Sequence, residues 1–192
     1  MTISVGDELP NAKVLRIGAD GPEEVQMSEL AGKGRVVLFG LPGAYTGTCT
    51  TAHVPSFIRT KPDFDAKGVD AVICLSVNDP FVMGAWGDST GATEAGIHMI
   101  GDATSEFTKA IGMDFTAPPV GLIDRSKRFA LYAEDGVVKV LHVEENPGVC
   151  ETSGGEALLA RHRQRCGRVG VAFQLRGHEG VARHRAHGVH DA

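Results

Sequence analysis

Cys49 is the side chain best placed to do chemistry in this sequence. The run PGAYTGTC (residues 42–49) follows an apolar, β-branched stretch at residues 35–41 and precedes apolar residues at i, i+3 and i+4 counted from Val54. The first pattern predicts a buried strand and the second a helix. Cys49 is therefore expected in the first helical turn, where unpaired N–H groups and the positive end of the helix dipole favour a thiolate.

A thiolate at that position is a nucleophile, and two neighbouring residues suit this role. Thr46, three residues earlier, brings a hydroxyl close to the sulfur, although it can equally serve as a turn or cap residue. Pro42 ends the strand, and in addition it would shield the sulfur and fix the loop. The alternative for Cys49 is a buried structural cysteine. The strand–loop–helix context favours the nucleophile.

Three separated blocks of the sequence resemble the atypical type II (fifth-subfamily) peroxiredoxins. They are PGAYTGTCTTAHVPSF (residues 42–57), CLSVNDPFV (residues 74–82) followed by Trp86, and KRF (residues 127–129) followed by DGVVKVL (residues 135–141) and Val143-Glu144. The blocks stand in the family's order, and the resemblance covers about residues 1–160. Tyr45 stands where Phe is usual, and Gly47 stands where Pro is usual. Because Gly permits more backbone conformations than Pro, Gly47 could loosen the loop.

The resemblance implies an α/β protein with a thioredoxin-like fold, in which helices flank a central mixed β-sheet. It also implies a thiol-dependent peroxidase, whose Cys49 attacks the O–O bond of hydrogen peroxide or an organic hydroperoxide and becomes a sulfenic acid. By its place in the KRF block, Arg128 resembles the family's active-site arginine, which stabilises the thiolate. Arg125 and Lys127 better fit solvated residues at a strand edge. No metal, haem, flavin or other cofactor is implied.

The resemblance further implies that an external thiol returns the sulfenic acid to a thiol. Glutathione with glutaredoxin, or thioredoxin, would serve. Cys150 is a candidate resolving cysteine, because it falls near the place where some atypical members keep one. Cys74 is the other candidate resolving cysteine. It occupies a position where the family's cysteine has varied roles, and a buried core cysteine is its simpler interpretation. The family also implies a homodimer, with residues 80–86 and the active-site loops near the interface.

His53 raises the question of a different chemistry, since it lies four residues after Cys49 on the same helical face. A Cys–His pair suits a protease-like or metal site. The family carries a His at this place, however, and it is better explained as support for the helix or the thiolate site. The sequence has no Cys-x-x-Cys pair, which argues against a zinc site and a thiol–disulfide oxidoreductase. A non-catalytic redox sensor or holdase on the same fold is the remaining alternative. Peroxide consumption by the purified protein would distinguish the peroxidase from it.

Strand-like and helix-like runs alternate along the chain, which favours an α/β fold. Residues 70–77 repeat the buried-strand pattern after a helical stretch that ends near Gly68, so the two apolar strands should pair in parallel. Further elements are predicted from caps, turns and periodicity. They are a helix opening at Asn78-Asp79-Pro80, a strand at 98–100, a helix at 104–111, a hairpin at 128–143 turning at Asp135-Gly136, and a last helix at 153–160.

The length and composition of the chain are those of a single ordinary soluble domain. The 192 residues are 42% hydrophobic and 22% charged, as in many soluble proteins. No apolar run approaches the roughly 20 residues that span a bilayer. The first residues lack the basic and apolar regions of a secretory signal. We therefore expect a cytoplasmic protein, whose thiols stay reduced.

The charge is divided unevenly between two segments of the chain. Residues 161–192 hold seven Arg, no Lys and two acidic residues, whereas residues 1–160 hold 12 basic and 22 acidic residues. An acidic body does not suggest nucleic-acid binding. The Arg/His/Gly-rich segment 161–192 favours a disordered basic tail or an artefactual end. We therefore expect residues 1–160 to form the peroxiredoxin domain and to fold and act without this segment.

Overall fold

The two apolar runs at residues 35–41 and 70–77 form neighbouring central strands of a β-sheet. In a computed structural model, which describes residues 1–162, they are strands β3 and β4. The strands are β1 Lys13–Gly18, β2 Gly21–Gln26, β3 Arg35–Leu41, β4 Ala71–Ser76, β5 His98–Gly101, β6 Asp114–Ala117, β7 Leu122–Ser126, β8 Phe129–Glu134 and β9 Val137–Val143. The helices are α1 Met27–Ala31, α2 Val54–Ala66, α3 Pro80–Thr90, α4 Glu106–Ala110 and α5 over residues 155–162, with a π-helical turn at Cys49–His53 and a 3-10 turn at Pro118–Val120.

Seven of these strands form one mixed sheet in the order β2-β1-β5-β4-β3-β8-β9. β3 and β4 pair in parallel, as do β4 and β5, whereas β8 pairs antiparallel to β3. The parallel pairing predicted for the two apolar strands is confirmed. The expected thioredoxin-like arrangement, a mixed sheet flanked by helices, is confirmed as well.

Both faces of the central strands are buried, which explains their continuous apolar sequence. On one face, Phe39 and Leu41 of β3 pack with Phe57 of α2, Trp86 of α3 and Leu158 of α5. The other face packs against α1 and α4; its core includes Val36, Leu38, Met27, Ala31 and Phe107. The ring of Phe39 stacks on Phe57 with centroids 3.9 Å apart. Each strand therefore needs apolar residues at every position rather than at alternate ones.

Local signals fix the start of α3 and the turn between β8 and β9. The Asp79 carboxylate accepts a hydrogen bond from the Val82 N–H at 2.9 Å, so Asp79 is the N-cap of α3. Asp135 and Gly136 both have positive φ, 48° and 77°, as a tight hairpin turn requires. The predicted cap and hairpin are thus confirmed at these residues.

Two hairpins were not predicted from the sequence. β1 and β2 pair antiparallel at one edge of the main sheet, and β6 and β7 form a separate two-stranded sheet. β2 has one buried residue, Val25, and β6 has none. Their sequences therefore lack the alternation of buried and exposed residues that would reveal a strand.

The last helix, α5, begins two residues later than predicted from the sequence and continues at least to the last described residue. It covers residues 155–162, and His162 is 3% exposed. The His162 ring packs edge-on against Tyr132 of β8, with centroids 4.4 Å apart. Residues 161 and 162 therefore continue the folded body. The rest of the segment predicted to be a tail lies outside the described residues. None of the helices within residues 1–162 is long and apolar enough to cross a membrane.

The boundary of the folded body can be tested by truncation. A chain ending at Ala160 lacks the His162–Tyr132 contact, which we expect to contribute about 1 kcal/mol to the free energy of unfolding. Its thermal midpoint should therefore lie about 3 °C below that of a chain ending at His162. Calorimetry of both proteins checks this. Equal midpoints would show that the fold does not depend on residues 161 and 162.

Candidate active site

Cys49 lies near the start of the helical run that leads into α2. The Thr50 N–H donates to Thr46 O at 3.0 Å, which is an α-helical bond around the cysteine. The next turn is wider, because the N–H of Val54 donates to Cys49 O, five residues back. Pro55 follows at once, and it has no N–H for a residue one turn earlier. The π-helical turn, whose hydrogen bond reaches back five residues, accommodates the missing N–H of Pro55. Such turns are frequent at functional sites.

A tight turn holds the segment between β3 and the cysteine. The Thr46 hydroxyl donates to Gly43 O at 2.8 Å. Tyr45 inside this turn has a φ of 60°, a conformation that costs free energy for a bulky side chain, and its side chain is exposed. The structure thus gives Thr46 the turn role. Because its proton is used by Gly43, the lone pairs of its oxygen can accept a hydrogen bond from a ligand.

Arg128 lies directly against the sulfur of Cys49. Its Nη2 donates to Cys49 Sγ at 3.4 Å, and both side chains are almost completely buried. The two residues are 79 positions apart in sequence, and the pairing of β3 with β8 brings them together. A buried guanidinium beside a sulfur favours the thiolate over the thiol. The geometry therefore brings two of the predicted site residues, Arg128 and Cys49, into contact.

The rest of the Arg128 guanidinium is only partly satisfied. Nη2 also donates to Pro147 O at 2.8 Å. Nε and Nη1 are buried without a hydrogen-bond partner in the described part of the chain. Unpaired buried donors are costly, and they attract an acceptor oxygen. Arg128 can therefore serve both the sulfur and an oxygen atom of a ligand.

An open cavity of about 330 Å³ adjoins this pair. Pro42, Thr46 and Arg128 all line it, and Thr48 brings its wall next to Cys49. The remaining walls are largely apolar, from Phe115, Ala117, Val120, Leu122, Gly47, Pro147 and Gly148. The candidate residues Pro42, Thr46 and Arg128 thus meet at one place, with the sulfur of Cys49 in contact with Arg128.

Sequence reasoning missed the residues that hold the Pro42 turn. Asn78 Oδ1 accepts from the Ala44 N–H at 3.0 Å and from Ser76 Oγ at 2.8 Å. Arg125 Nη1 donates to the same oxygen at 3.3 Å and to Pro42 O at 3.4 Å. Arg125 is therefore a half-buried clamp rather than the solvated side chain expected. Asn78 belongs to the sequence block at residues 74–82 that resembles the family. From the sequence it was interpreted only as part of the start of a helix.

His53 packs behind the cysteine and is held neutral. Its ring lies edge-on to Phe39 and Phe57, and its Nε2 lies 3.0 Å from Ser153 O. Burial, assisted by the nearby positive charge of Arg128, lowers the pKa of His53 to about 3. A neutral imidazole with Nε2 bonded to a carbonyl supports the helix. This geometry agrees with the supporting role that the sequence suggested for His53.

The other two described cysteines are free thiols in different environments. Cys74 is fully buried in β4, and burial together with the nearby Cys49 raises its pKa well above the usual value. Cys150 is half-buried, and burial raises its pKa while Arg128 acts in the opposite direction. It lines a second cavity of about 290 Å³ with Thr51 and Arg59. Cys166 lies outside the described residues.

Comparison with known proteins agrees with this arrangement. Residues 4–159 match the family model described as Redoxin. Peroxiredoxin-2E-2 of rice, a chloroplastic protein, is 47% identical over 162 residues, which are 82% of this chain and 72% of the relative. Peroxiredoxin-2C of rice is 41% identical over 158 residues, 82% of this chain and 96% of the relative.

A solved structure resembles the chain over the same region. Reduced Prx3 from Vibrio vulnificus, in complex with hydrogen peroxide, superposes with a TM-score of 0.77 at 40% identity. The match covers 83% of this chain and 99% of that one. The chain therefore belongs to the redoxin family, and within it to the type II peroxiredoxins. It is accordingly a thiol-dependent peroxidase, an oxidoreductase.

Gly47, which stands where the family usually has proline, leads to a prediction about stability. A Cβ at Gly47 would meet no atom within 4 Å, and Gly47 begins the helical run, where a proline ring is well accommodated. Gly47→Pro should raise the free energy of unfolding by about 0.5 kcal/mol, because it restricts the unfolded chain. Denaturant unfolding checks this, with Gly47→Ala as the control. A destabilised Gly47→Pro protein would mean that Thr46 cannot adopt the conformation that precedes a proline.

The contact between Arg128 and Cys49 yields a reactivity prediction. Arg128→Met removes the charge-assisted hydrogen bond to sulfur and should slow alkylation of Cys49 at neutral pH about tenfold. The measurement is the alkylation rate as a function of pH, followed by mass spectrometry of the Cys49 peptide. Lys127→Met removes a positive charge one residue away and should leave the rate near that of the unsubstituted protein. Equal rates in the two variants would contradict the role of Arg128.

Proposed function

We propose that the protein reduces hydrogen peroxide and organic hydroperoxides at Cys49. The observation that carries this proposal is the 3.4 Å contact between Cys49 Sγ and the buried Arg128, next to a cavity that Thr46 and Pro42 also line. A buried sulfur paired with a guanidinium is suited to a small, uncharged, electrophilic substrate. The Vibrio vulnificus relative, whose structure contains hydrogen peroxide, supports the choice of substrate.

The reaction needs only the sulfur, a positive charge and a proton. The Cys49 thiolate attacks the terminal oxygen of the hydroperoxide, forming an S–O bond while the O–O bond breaks. The electron pair of the O–O bond moves to the leaving oxygen, which takes up a proton and departs as an alcohol or as water. Cys49 is left as a sulfenic acid. No metal or organic cofactor takes part in these steps.

Arg128, Thr46 and Pro42 have separate roles in this proposal. Arg128 stabilises the thiolate and the negative charge that grows on the leaving oxygen, through donors that are buried and already oriented. The lone pairs of Thr46 Oγ1 accept a hydrogen bond from the hydroperoxide O–H and so orient it. Pro42 closes one wall and excludes water from the sulfur.

The apolar walls of the cavity favour organic hydroperoxides as well as hydrogen peroxide. Phe115, Ala117, Val120 and Leu122 supply these apolar walls. An alkyl group bound there would lose contact with water. We therefore place the hydroperoxide group near Arg128 and the organic group toward these side chains.

An external thiol completes the cycle in this proposal. It attacks the sulfenic acid, forms a mixed disulfide with Cys49 and releases water; a second thiol then restores Cys49. Glutathione with glutaredoxin, or thioredoxin, would supply these thiols. Cys150 is the better internal alternative, because it is half-buried beside a cavity. Cys74 is fully buried in the sheet, and the raised pKa of its thiol disfavours attack.

We also propose a homodimer that forms next to the cavity. Four large apolar side chains are exposed on neighbouring elements: Tyr45, Phe81, Val120 and Ile123, at 54–71%. Exposed apolar groups of this kind mark interaction surfaces. A second copy would cover Phe81 at the start of α3 and Tyr45 in the active-site turn. This is the region near the interface that the family resemblance implied.

The proposed cycle requires a compartment that keeps thiols reduced, and we place the protein in the cytoplasm on this ground. The relatives include proteins named as chloroplastic or mitochondrial peroxiredoxins.

The assignment is tested by replacing each cysteine in turn. Cys49→Ser should abolish peroxide consumption with a thiol reductant present, because the nucleophile is lost. Cys74→Ser and Cys166→Ser should keep most of the rate. Peroxide consumption coupled to glutathione with glutaredoxin, and separately to thioredoxin, provides the measurement. Substantial turnover by Cys49→Ser would contradict the assignment, and stoichiometric oxidation without turnover would favour a redox sensor.

Cys150→Ser separates the two routes of recycling. If an external thiol attacks Cys49 directly, the variant keeps its rate, and mass spectrometry with glutathione shows glutathione attached to Cys49. If Cys150 resolves the sulfenic acid, the variant loses turnover, and the unsubstituted protein forms a Cys49–Cys150 disulfide.

A further inference from the structure

A single buried carboxylate holds the loop that follows β9. Glu144 Oε1 accepts from the backbone N–H groups of Glu151, Thr152 and Ser153, each at 2.8 Å, and from Ser153 Oγ at 2.9 Å. Its own N–H donates to Arg128 O at 2.9 Å. Residues 144–153 are therefore closed into a loop, here called the Glu144 loop, whose two ends are fastened by one side chain.

The Glu144 loop contacts the active site through three backbone carbonyls. Pro147 O accepts from Arg128 Nη2 at 2.8 Å, and Gly148 O accepts from Thr48 Oγ1 at 2.7 Å. Ser153 O lies 3.0 Å from His53 Nε2. The loop thus touches the arginine, the residue before the cysteine and the histidine behind it. The Pro147 contact matters most, because it shares the same Nη2 with Cys49 Sγ.

Glu144 is only 6% exposed, and it is suited to hold this loop as an anion. Burial on its own would raise the pKa of Glu144, but the hydrogen bonds from Ser153, Glu151 and Thr152 bring it below the usual value. Hydrogen bonds to an ionised acceptor are about twice as strong as neutral ones. Charged and titratable groups near Glu144 include Arg128 of the β8 end, His53 of the π-helical turn and Cys150 of the loop.

We infer that Glu144 is a positioning residue, which fixes Pro147 O and through it directs Arg128 Nη2 at the sulfur of Cys49. The inference rests on the proposed role of Arg128 in the peroxidase reaction. Arg128 has several buried donors and one firm backbone acceptor, so the place of that acceptor decides where the guanidinium points. Glu144 itself touches neither the sulfur nor the substrate.

A direct effect of the Glu144 charge and an effect of its position would change the rate in opposite directions, so the two can be separated. If the negative charge acted on Cys49 directly, its loss alone would speed alkylation. Loss of the loop geometry would turn Arg128 away and slow alkylation. Glu144→Gln keeps an acceptor oxygen in place without the charge. Glu144→Asp keeps the charge but draws it back by one methylene from its four donors.

The experiment measures alkylation of Cys49 and peroxide consumption at neutral pH in Glu144→Asp and Glu144→Gln. Each variant is also made with Arg128→Met. Glu145→Asp and Glu145→Gln are the matched controls, because Glu145 is the exposed neighbour. We expect Glu144→Asp to slow alkylation about tenfold, since small misplacements of a charged group are costly. The alkylation rate of Glu144→Gln should stay within about threefold of that of the unsubstituted protein. The Glu145 controls should have the same alkylation rate as the unsubstituted protein.

The Arg128→Met background provides the decisive comparison. If Glu144 acts through Arg128, Glu144→Asp should slow alkylation less than about twofold once Arg128 is gone. The same loss with and without Arg128 would show a general structural role and overturn the inference. Glu144→Gln faster than the unsubstituted protein, with Glu144→Asp unchanged, would show that only the charge matters and would overturn it too. Because alkylation needs no turnover, it tests Glu144 even if the peroxidase assignment fails.

Discussion

The buried contact between Arg128 and Cys49 is the interaction on which the rest of the site depends. A guanidinium that is 1% exposed would destabilise the fold if it had no partners. Here it has the sulfur and the Pro147 carbonyl. Two of its nitrogens lack a partner among the described residues, and they supply the donors that a peroxide oxygen can use. Arg128 Nη2 is therefore satisfied within the protein, while Nε and Nη1 remain available to a ligand.

The sheet brings these two side chains together by strand register. Gly40 of β3 pairs with Phe129 of β8, so Arg128 falls opposite Leu41, the last residue of β3, after which the chain turns toward Cys49. A side chain on Gly40 would overlap the ring of Phe129, which explains a glycine in an otherwise apolar strand. The chain then needs Pro42 to leave the sheet and the turn at Thr46 to start the helix. Asn78, between β4 and α3, and Arg125, in β7, hold this turn by hydrogen bonds.

The central strands and the nucleophile could be predicted from sequence because their signals are local. An apolar run, Pro42 and Cys49 at a helix start lie within a few residues of one another. Arg128 could be chosen only by resemblance, because a separation of 79 residues leaves no local pattern. Arg125 and Glu144 were missed for the same physical reason. Their roles come from hydrogen bonds to backbone atoms, which any polar residue can make and which sequence periodicity does not encode.

The Glu144 loop affects two steps of the proposed cycle. Attack on peroxide needs the loop to hold Arg128 in place, whereas recycling by Cys150 would need the loop to move. It holds Arg128 through Pro147, and it also carries Cys150, three residues further on. Cys150 lines a cavity with Thr51 and Arg59, distinct from the one that Pro42 and Thr46 line. Any movement of Cys150 would pull on the bonds at Pro147 and at residues 151–153. While these bonds hold, Arg128 favours attack on peroxide and Cys150 stays in its own cavity. Recycling by an external thiol, as proposed, would not require Cys150 to move, so it would leave the loop that positions the arginine closed.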